Sequence, residues 1–269
     1  TFKFIKCSSS FILMNSFIFD EYKITELSYF DYKQLVKELL TDDLSTLNDI
    51  FDKLYKKNVY TKKEATAFDK FKCLLYIRSL ILGEEIEIVY NKKNYKLNID
   101  NVIEKTYIEE SDLISENLAF KNFDTFFIEN LTNELYKNLK SINLNGKNID
   151  LSNFNIKQKE EIFDNITDLN FTQMMQNCSD YLGKSSINIL DKKLLVYTGD
   201  ILYFLKNIFN SSLDNLYDFE YILIKQLNLN TNDFKNYSFT ELKIFYNKIV
   251  KEFEQQKESS SSTGINLKS

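Results

Sequence analysis

The sequence contains no histidine, no proline and no tryptophan, and only five glycines and three cysteines in 269 residues. Without histidine there is no Ser-His-Asp or Cys-His catalytic pair, no imidazole-ligated zinc or iron, and no imidazole to shuttle protons near neutral pH. Five glycines leave little from which to build a phosphate-cradling loop, and neither G-x-x-x-x-G-K-[ST] nor G-x-G-x-x-G occurs. Average usage places about a dozen prolines in a chain of this length. Their absence, together with the abundance of Asn, Lys, Ile, Phe and Tyr, reads as the codon bias of an AT-rich genome rather than a functional signal. Cys7, Cys73 and Cys178 are far apart and odd in number, which suits a reducing compartment and argues against a disulfide framework.

Arginine is almost absent too. Lysine and arginine total 34, and Arg78 is the only arginine. Acidic residues number 39, the net charge is −5, and the two signs are interleaved along the chain. A phosphate-binding surface normally shows a basic excess with arginine prominent, so nucleic acid is not an expected partner. No apolar run reaches the roughly 18 residues of a membrane span. What is present is ordinary for a globular protein of one large or two modest domains: 43 % hydrophobic and 27 % charged residues, with an aromatic share of 15 % from Phe and Tyr alone.

Periodicity divides the chain into a non-native or disordered leader (1–13), a helical region with a hairpin (14–105), a second helical region with hairpins (106–257) and a serine-rich, disordered tail (258–269). Ser28 and Asp31 have N-cap spacing before an apolar stripe of Leu35, Val36, Leu39 and Leu40. Leu44, Leu47, Ile50, Phe51 and Leu54 mark a second helix. Thr61 and Glu64 have capping-box spacing ahead of a third, which Gly83 stops. Period-two alternation predicts a hairpin over 86–99. Residues 101–123 read as a linker or an ill-formed helix, and "DTFFIENLTNELYKNL" as a helix. Asn145-Gly146 is a strong hairpin signal, helices are predicted over 156–166 and 169–182, and "INILDKKLLVY" suits a third hairpin. Two aromatic-rich helices broken near 210–212 and a last one opened by Ser238 and Glu241 complete the pattern. The expected fold is α+β, mostly helical, with small antiparallel hairpins.

Arg78 sits in "FDKFKCLLYIRSLILGEEIEI", the most apolar helix candidate. Its same-face neighbours Phe71, Leu74, Leu75, Ile81 and Leu82 are all apolar. A guanidinium buried there needs a partner, and Glu84, Glu85 and Glu87 lie just beyond the helix, with Glu85 and Glu87 on one face of the following strand. Two readings stand: an intramolecular ion pair locking helix to hairpin, or a contact to an acidic group on a partner chain. A second candidate is the aromatic stripe Tyr203, Phe204, Ile208, Phe209, Leu216, Tyr217, Phe219 and Tyr221, too broad for one small helix pair to bury; it reads either as core or as a protein-binding face. Adjacent acids such as Glu109-Glu110, Asp42-Asp43 and Glu160-Glu161 diverge on any regular element and read as solvated faces. No catalytic, cofactor-binding or metal-binding residue emerges.

The stretch from "YFDYKQLVKELLTDDLSTLNDIFDKLY" through "FDKFKCLLYIRSLILGEEIEI" resembles the baseplate hub and hub-assembly proteins of T-even-type contractile-tailed phages. Phe68-Asp69, Arg78 and Gly83-Glu84 match the order of that family's motif, and the resemblance covers roughly residues 17 to 100. It implies a non-enzymatic virion or morphogenesis protein, made in the host cytoplasm, that binds other tail proteins and needs no cofactor. The alternatives are an intracellular helical scaffold or adaptor, and an enzyme using carboxylate-bound Mg²⁺, which requires three or four acids converging in one cleft.

Overall fold

The computed structural model describes residues 16–90, 93–104, 114–115, 118–121, 123–144, 146–165, 168–189 and 192–262. The expected leader, and residues 263–269 of the expected tail, lie outside the described residues. The chain begins with a tight hairpin, β1 (Ser16–Phe19) and β2 (Tyr22–Thr25), turned by Asp20 at a φ of 52°. It passes into α1 (Tyr29–Glu38), where the Ser28 hydroxyl accepts from the Asp31 amide at 3.1 Å as the cap spacing predicts. Helix α2 (Leu44–Asn58) is capped by Asp43 and buries Leu47, Ile50, Phe51 and Leu54. It runs directly into β3 (Val59–Tyr60), which closes a three-stranded antiparallel sheet in the order β1-β2-β3.

Helix α3 (Ala67–Leu82) is buried on nearly all sides, through Phe68, Phe71, Cys73, Leu74, Leu75, Ile77 and Ile81. Such a helix belongs at the centre of a core rather than on its surface. Its capping box is Thr66 with Asp69, not Thr61 with Glu64. The Thr61 hydroxyl instead accepts from the Lys63 amide within the preceding loop. Both pairs have the same spacing, and only the one adjoining the buried stripe is used. Gly83 ends the helix at a φ of 90°, a conformation that a side chain disfavours.

The hairpin β4 (Glu85–Tyr90) and β5 (Lys93–Asn98) follows, with Glu85 opposite Asn98. Next come α4 (Ile99–Glu104) and the short strands β6 (Ile114–Ser115) and β7 (Leu118–Phe120). The expected linker thus supplies an inner strand of a four-stranded sheet, β6-β7-β8-β9, completed by β8 (Leu139–Leu144) and β9 (Lys147–Asp150). Between them, α5 (Leu131–Asn138) is shorter than its sequence pattern suggests. Residues 124–130 stay out of the helix: Asn48 accepts from the Thr125 hydroxyl and the Phe126 amide, while Asn130 caps the helix.

Helices α6 (Ile156–Asp164) and α7 (Asp168–Lys184) lead to the hairpin β10 (Ser186–Ile189) and β11 (Lys192–Leu195). The last third is helical: α8 (Asp200–Phe209), α9 (Leu213–Leu227), a 3₁₀ turn (Asp233–Lys235) and α10 (Phe239–Ser262). Ser238 and Glu241 form the predicted capping box of α10. That helix continues five residues past the expected start of the tail, to Ser262. The fold is α+β, mostly helical, with small antiparallel sheets.

One hydrophobic core draws on both halves of the chain. The Tyr29 hydroxyl donates to the Leu216 carbonyl at 2.6 Å and the Tyr32 hydroxyl to the Phe209 carbonyl at 3.2 Å, so α1 is fastened to α8 and α9. Among the described residues no helix is long and apolar enough to cross a membrane.

Candidate functional site

Among the described residues the lone arginine does not meet an acid. Arg78 is 7 % exposed, and its guanidinium donates to the carbonyls of Ile208, at 3.4 Å, and Gly83. Ile208 lies in the last turn of α8 and Gly83 is the C-cap of α3. Both carbonyls lie at helix C-termini, where backbone oxygens lack intrahelical donors and the helix dipole is negative. A planar fork can reach both; an ammonium cannot. Burial lowers the guanidinium pKa, and the nearby Tyr32 opposes that. Glu85 and Glu87 are exposed on the hairpin, and Glu87 pairs with Lys96 at 3.1 Å. The expected Arg78–Glu lock is therefore replaced by a bond between two helix ends. Phe68, beside the Asp69 cap, is 3 % exposed and part of the core.

A polar cleft of about 380 Å³ lies between α2 and α5, with the 124–130 loop as its third wall. At its base Lys70 is pinned between Asp52 at 2.7 Å and Asp124 at 3.2 Å. Burial pushes the Asp52 carboxyl up, but the Lys56 and Lys70 ammoniums outweigh it and hold the pKa below its ordinary value. Asp49 and Asp52 come from α2, Asp124 and Glu129 from the loop, and Glu134 from α5, where it pairs with Lys137. The carboxylates are thus spread over separate walls. Among the described residues no group of three or more acids, cysteines or histidines is placed to hold a metal ion. The cleft can offer hydrogen bonds and a surplus of negative charge; among the described residues that line it, no nucleophile is paired with a base.

The aromatic stripe divides between interior and surface. Phe204 packs on Phe71 with ring centroids 6.0 Å apart and Phe209 on Phe51 at 5.8 Å, so both are core. Tyr203, Tyr217 and Tyr221 are exposed. Tyr203 donates to the Asp42 carbonyl at 3.3 Å. Tyr217 and Tyr221 lie one turn apart on α9, and the Lys33 ammonium sits 4.4 Å above the Tyr217 ring, with Lys37 at 5.7 Å. Lys33 also pairs with Glu220, which ties α1 to α9 beneath the tyrosines. Phe30, on the same side of α1 as Lys33 and Lys37, is exposed with Lys235 5.4 Å over its ring. This aromatic and lysine face, spanning α1 and α9, is the candidate binding surface.

Phe30, Lys70 and the exposed part of α10 were not singled out by sequence pattern. Phe30 immediately follows the buried Tyr29, and the cation contacts that define its surroundings come from residues distant in sequence. Comparison with known proteins returns no match: no family model, no curated protein and no solved structure matches the chain.

Proposed function

We propose that the protein is a non-enzymatic binding component of a contractile phage tail, a baseplate hub structural or assembly protein made in the host cytoplasm. The observation that supports a binding role is the α1–α9 face. Phe30, Tyr217 and Tyr221 are 44 %, 46 % and 61 % exposed, and each ring is contacted by a lysine. Tyrosine and phenylalanine are enriched in protein interfaces because they bury large area with few rotatable bonds. Lys37 and Lys235 are exposed where they contact the rings, which keeps such a face soluble before it is covered.

The phage assignment rests on the resemblance of residues 17–100. Asp69, Arg78 and Gly83 serve this chain's own helix α3 as cap, end-clamp and stop. What the matched positions have in common is therefore a helix-and-hairpin unit, and the binding role is argued from the exposed face beside it.

The test is co-expression with the tail proteins encoded in the same genome, followed by affinity capture and by mass spectrometry of purified particles. A tail protein should co-purify with the wild-type chain, and Tyr217→Ala with Tyr221→Ala should abolish that capture while the melting temperature is unchanged. Capture of partners unrelated to a tail supports the adaptor reading. No capture, together with absence from particles, counts against the proposal.

A further inference from the structure

Helix α10 outruns the body it packs on. Leu242, Tyr246, Ile249 and Phe253 recur at spacings of four, three and four, the pattern of a seam facing a partner helix. The first three are buried or half-buried against the core, whereas Phe253 is 45 % exposed. Every side chain from Lys251 to Lys257 is exposed, yet the helix continues to Ser262. A helical extension that buries almost nothing is marginal in water. At the point where the body ends, the end of α9 and α10 enclose a notch of about 240 Å³, with Leu227, Phe245, Ile249 and Phe253 as its apolar lining. Lys248 and Glu252 stand on its rim, and among the described residues neither makes an ion pair within the chain.

We propose that this notch is a homodimer interface, in which the α10 helices of two copies cross antiparallel about a two-fold axis near Ile249 and Val250. The charge of the rim identifies the occupant. A partner of one sign would meet one rim charge and be repelled by the other. A second copy, turned over, offers Glu252 to Lys248 and Lys248 to Glu252, the self-complementarity that a two-fold contact requires. An axis through Ile249 also exchanges Phe245 with Phe253, so each copy's exposed Phe253 meets the other's notch. The axis that pairs the charges passes through Val250, a displacement of about 1.5 Å along the helix. That is within the reach of lysine and glutamate side chains. This inference is independent of the tail reading and uses a different surface from the α1–α9 face.

Sedimentation velocity of the full chain across a dilution series tests it. The wild type should pass from monomer to dimer as concentration rises. Phe253→Asp should stay monomeric at every concentration, with a melting temperature equal to that of wild type at dilutions where the wild type is monomeric. Lys248→Glu and Glu252→Lys should each dimerise about tenfold more weakly alone, because like charges then face each other twice. Mixed in equal amounts, the two variants should recover wild-type association, since each supplies the charge the other lacks. A wild type that is monomeric throughout overturns the proposal, even if a different protein is found to bind through Phe253. Undiminished dimerisation of Phe253→Asp, or no recovery on mixing, overturns it as well.

Discussion

Lys70 and Arg78 stand about two turns apart on one buried helix, α3, each 7 % exposed, and the protein satisfies them in opposite ways. Lys70 is in the helix's second turn, where the dipole presents its positive end to the ammonium. Two carboxylates from elsewhere in the fold, Asp52 and Asp124, offset that. Arg78 lies toward the C-terminus, where the dipole favours a cation, and two carbonyls at helix ends suffice. The comparison teaches that the position of a buried charge along a helix decides what kind of partner it needs. A cation near the start needs counter-charge. One near the end can be satisfied by backbone that would otherwise be left without donors.

The sharpest way to break this comparison is Arg78→Ala. It leaves the Ile208 and Gly83 carbonyls without a side-chain donor and opens a void between α3 and α8, so we expect a loss of about 2–4 kcal/mol in urea unfolding. Arg78→Lys should recover only part of this, because one ammonium cannot span both helix ends. Neither loss should change much with salt, since carbonyl acceptors have no net charge to screen. A lysine variant as stable as the wild type would remove the two-carbonyl account.

Replacing Lys70 should cost less. Lys70→Met retains the apolar stem, Asp52 keeps Lys56 at 2.5 Å, and Asp124 is 60 % exposed at its side chain and can turn to solvent. About 1–2 kcal/mol is expected, smaller than for Arg78→Ala. The two sites should also differ in acid. The Asp52 pKa is depressed in the folded state, so its stabilisation is complete above its unfolded value, near 3.8, and is lost as pH falls through the lower folded value. Lys70→Met should therefore flatten the loss of stability below that pH, whereas Arg78→Ala should leave its shape unchanged. Equal acid profiles in Lys70→Met and wild type would show that the Lys70–Asp52 pair contributes nothing.

Much of the local architecture was legible in the sequence, and the reasons are local. Ser28, Ser238, Gly83 and the alternation over 86–99 announce themselves within a few residues, and the structure uses each of them. Three misreadings share one cause, a partner distant in sequence. Strand β7 is recruited by pairing Leu118 with Ile142, far along the chain, and the 124–130 loop is held out of the helix by Asn48. Likewise Arg78 takes backbone carbonyls, one of them from a helix 130 residues away, and carbonyls leave no trace in residue identity. The candidate site fared similarly: Tyr217 and Tyr221 could be named from composition, but the sorting of Phe204 and Phe209 into the core depends on what α8 packs against.

The smallest effect is expected beside Lys70. Tyr55 is buried, its ring centroid lies 5.6 Å from the Lys70 ammonium, and its hydroxyl has no hydrogen-bond partner among the described residues. Burial is the main influence raising its pKa, with Cys73 and the acids Asp69, Asp52 and Asp124 adding to it, so the hydroxyl remains protonated. A buried hydroxyl without a partner has lost its water and gained nothing in exchange. Tyr55→Phe keeps the ring against Lys70 and removes only that oxygen, so stability should stay within about 0.5 kcal/mol of wild type or rise slightly. The double variant with Lys70→Met should then lose no more than Lys70→Met alone, since the hydroxyl takes no part in holding the ammonium. If Tyr55→Phe instead costs about 1.5 kcal/mol or more, the hydroxyl is bonded within the Lys70 site. Lys70 would then belong to a wider polar network, and its contrast with Arg78 would rest on more than two carboxylates.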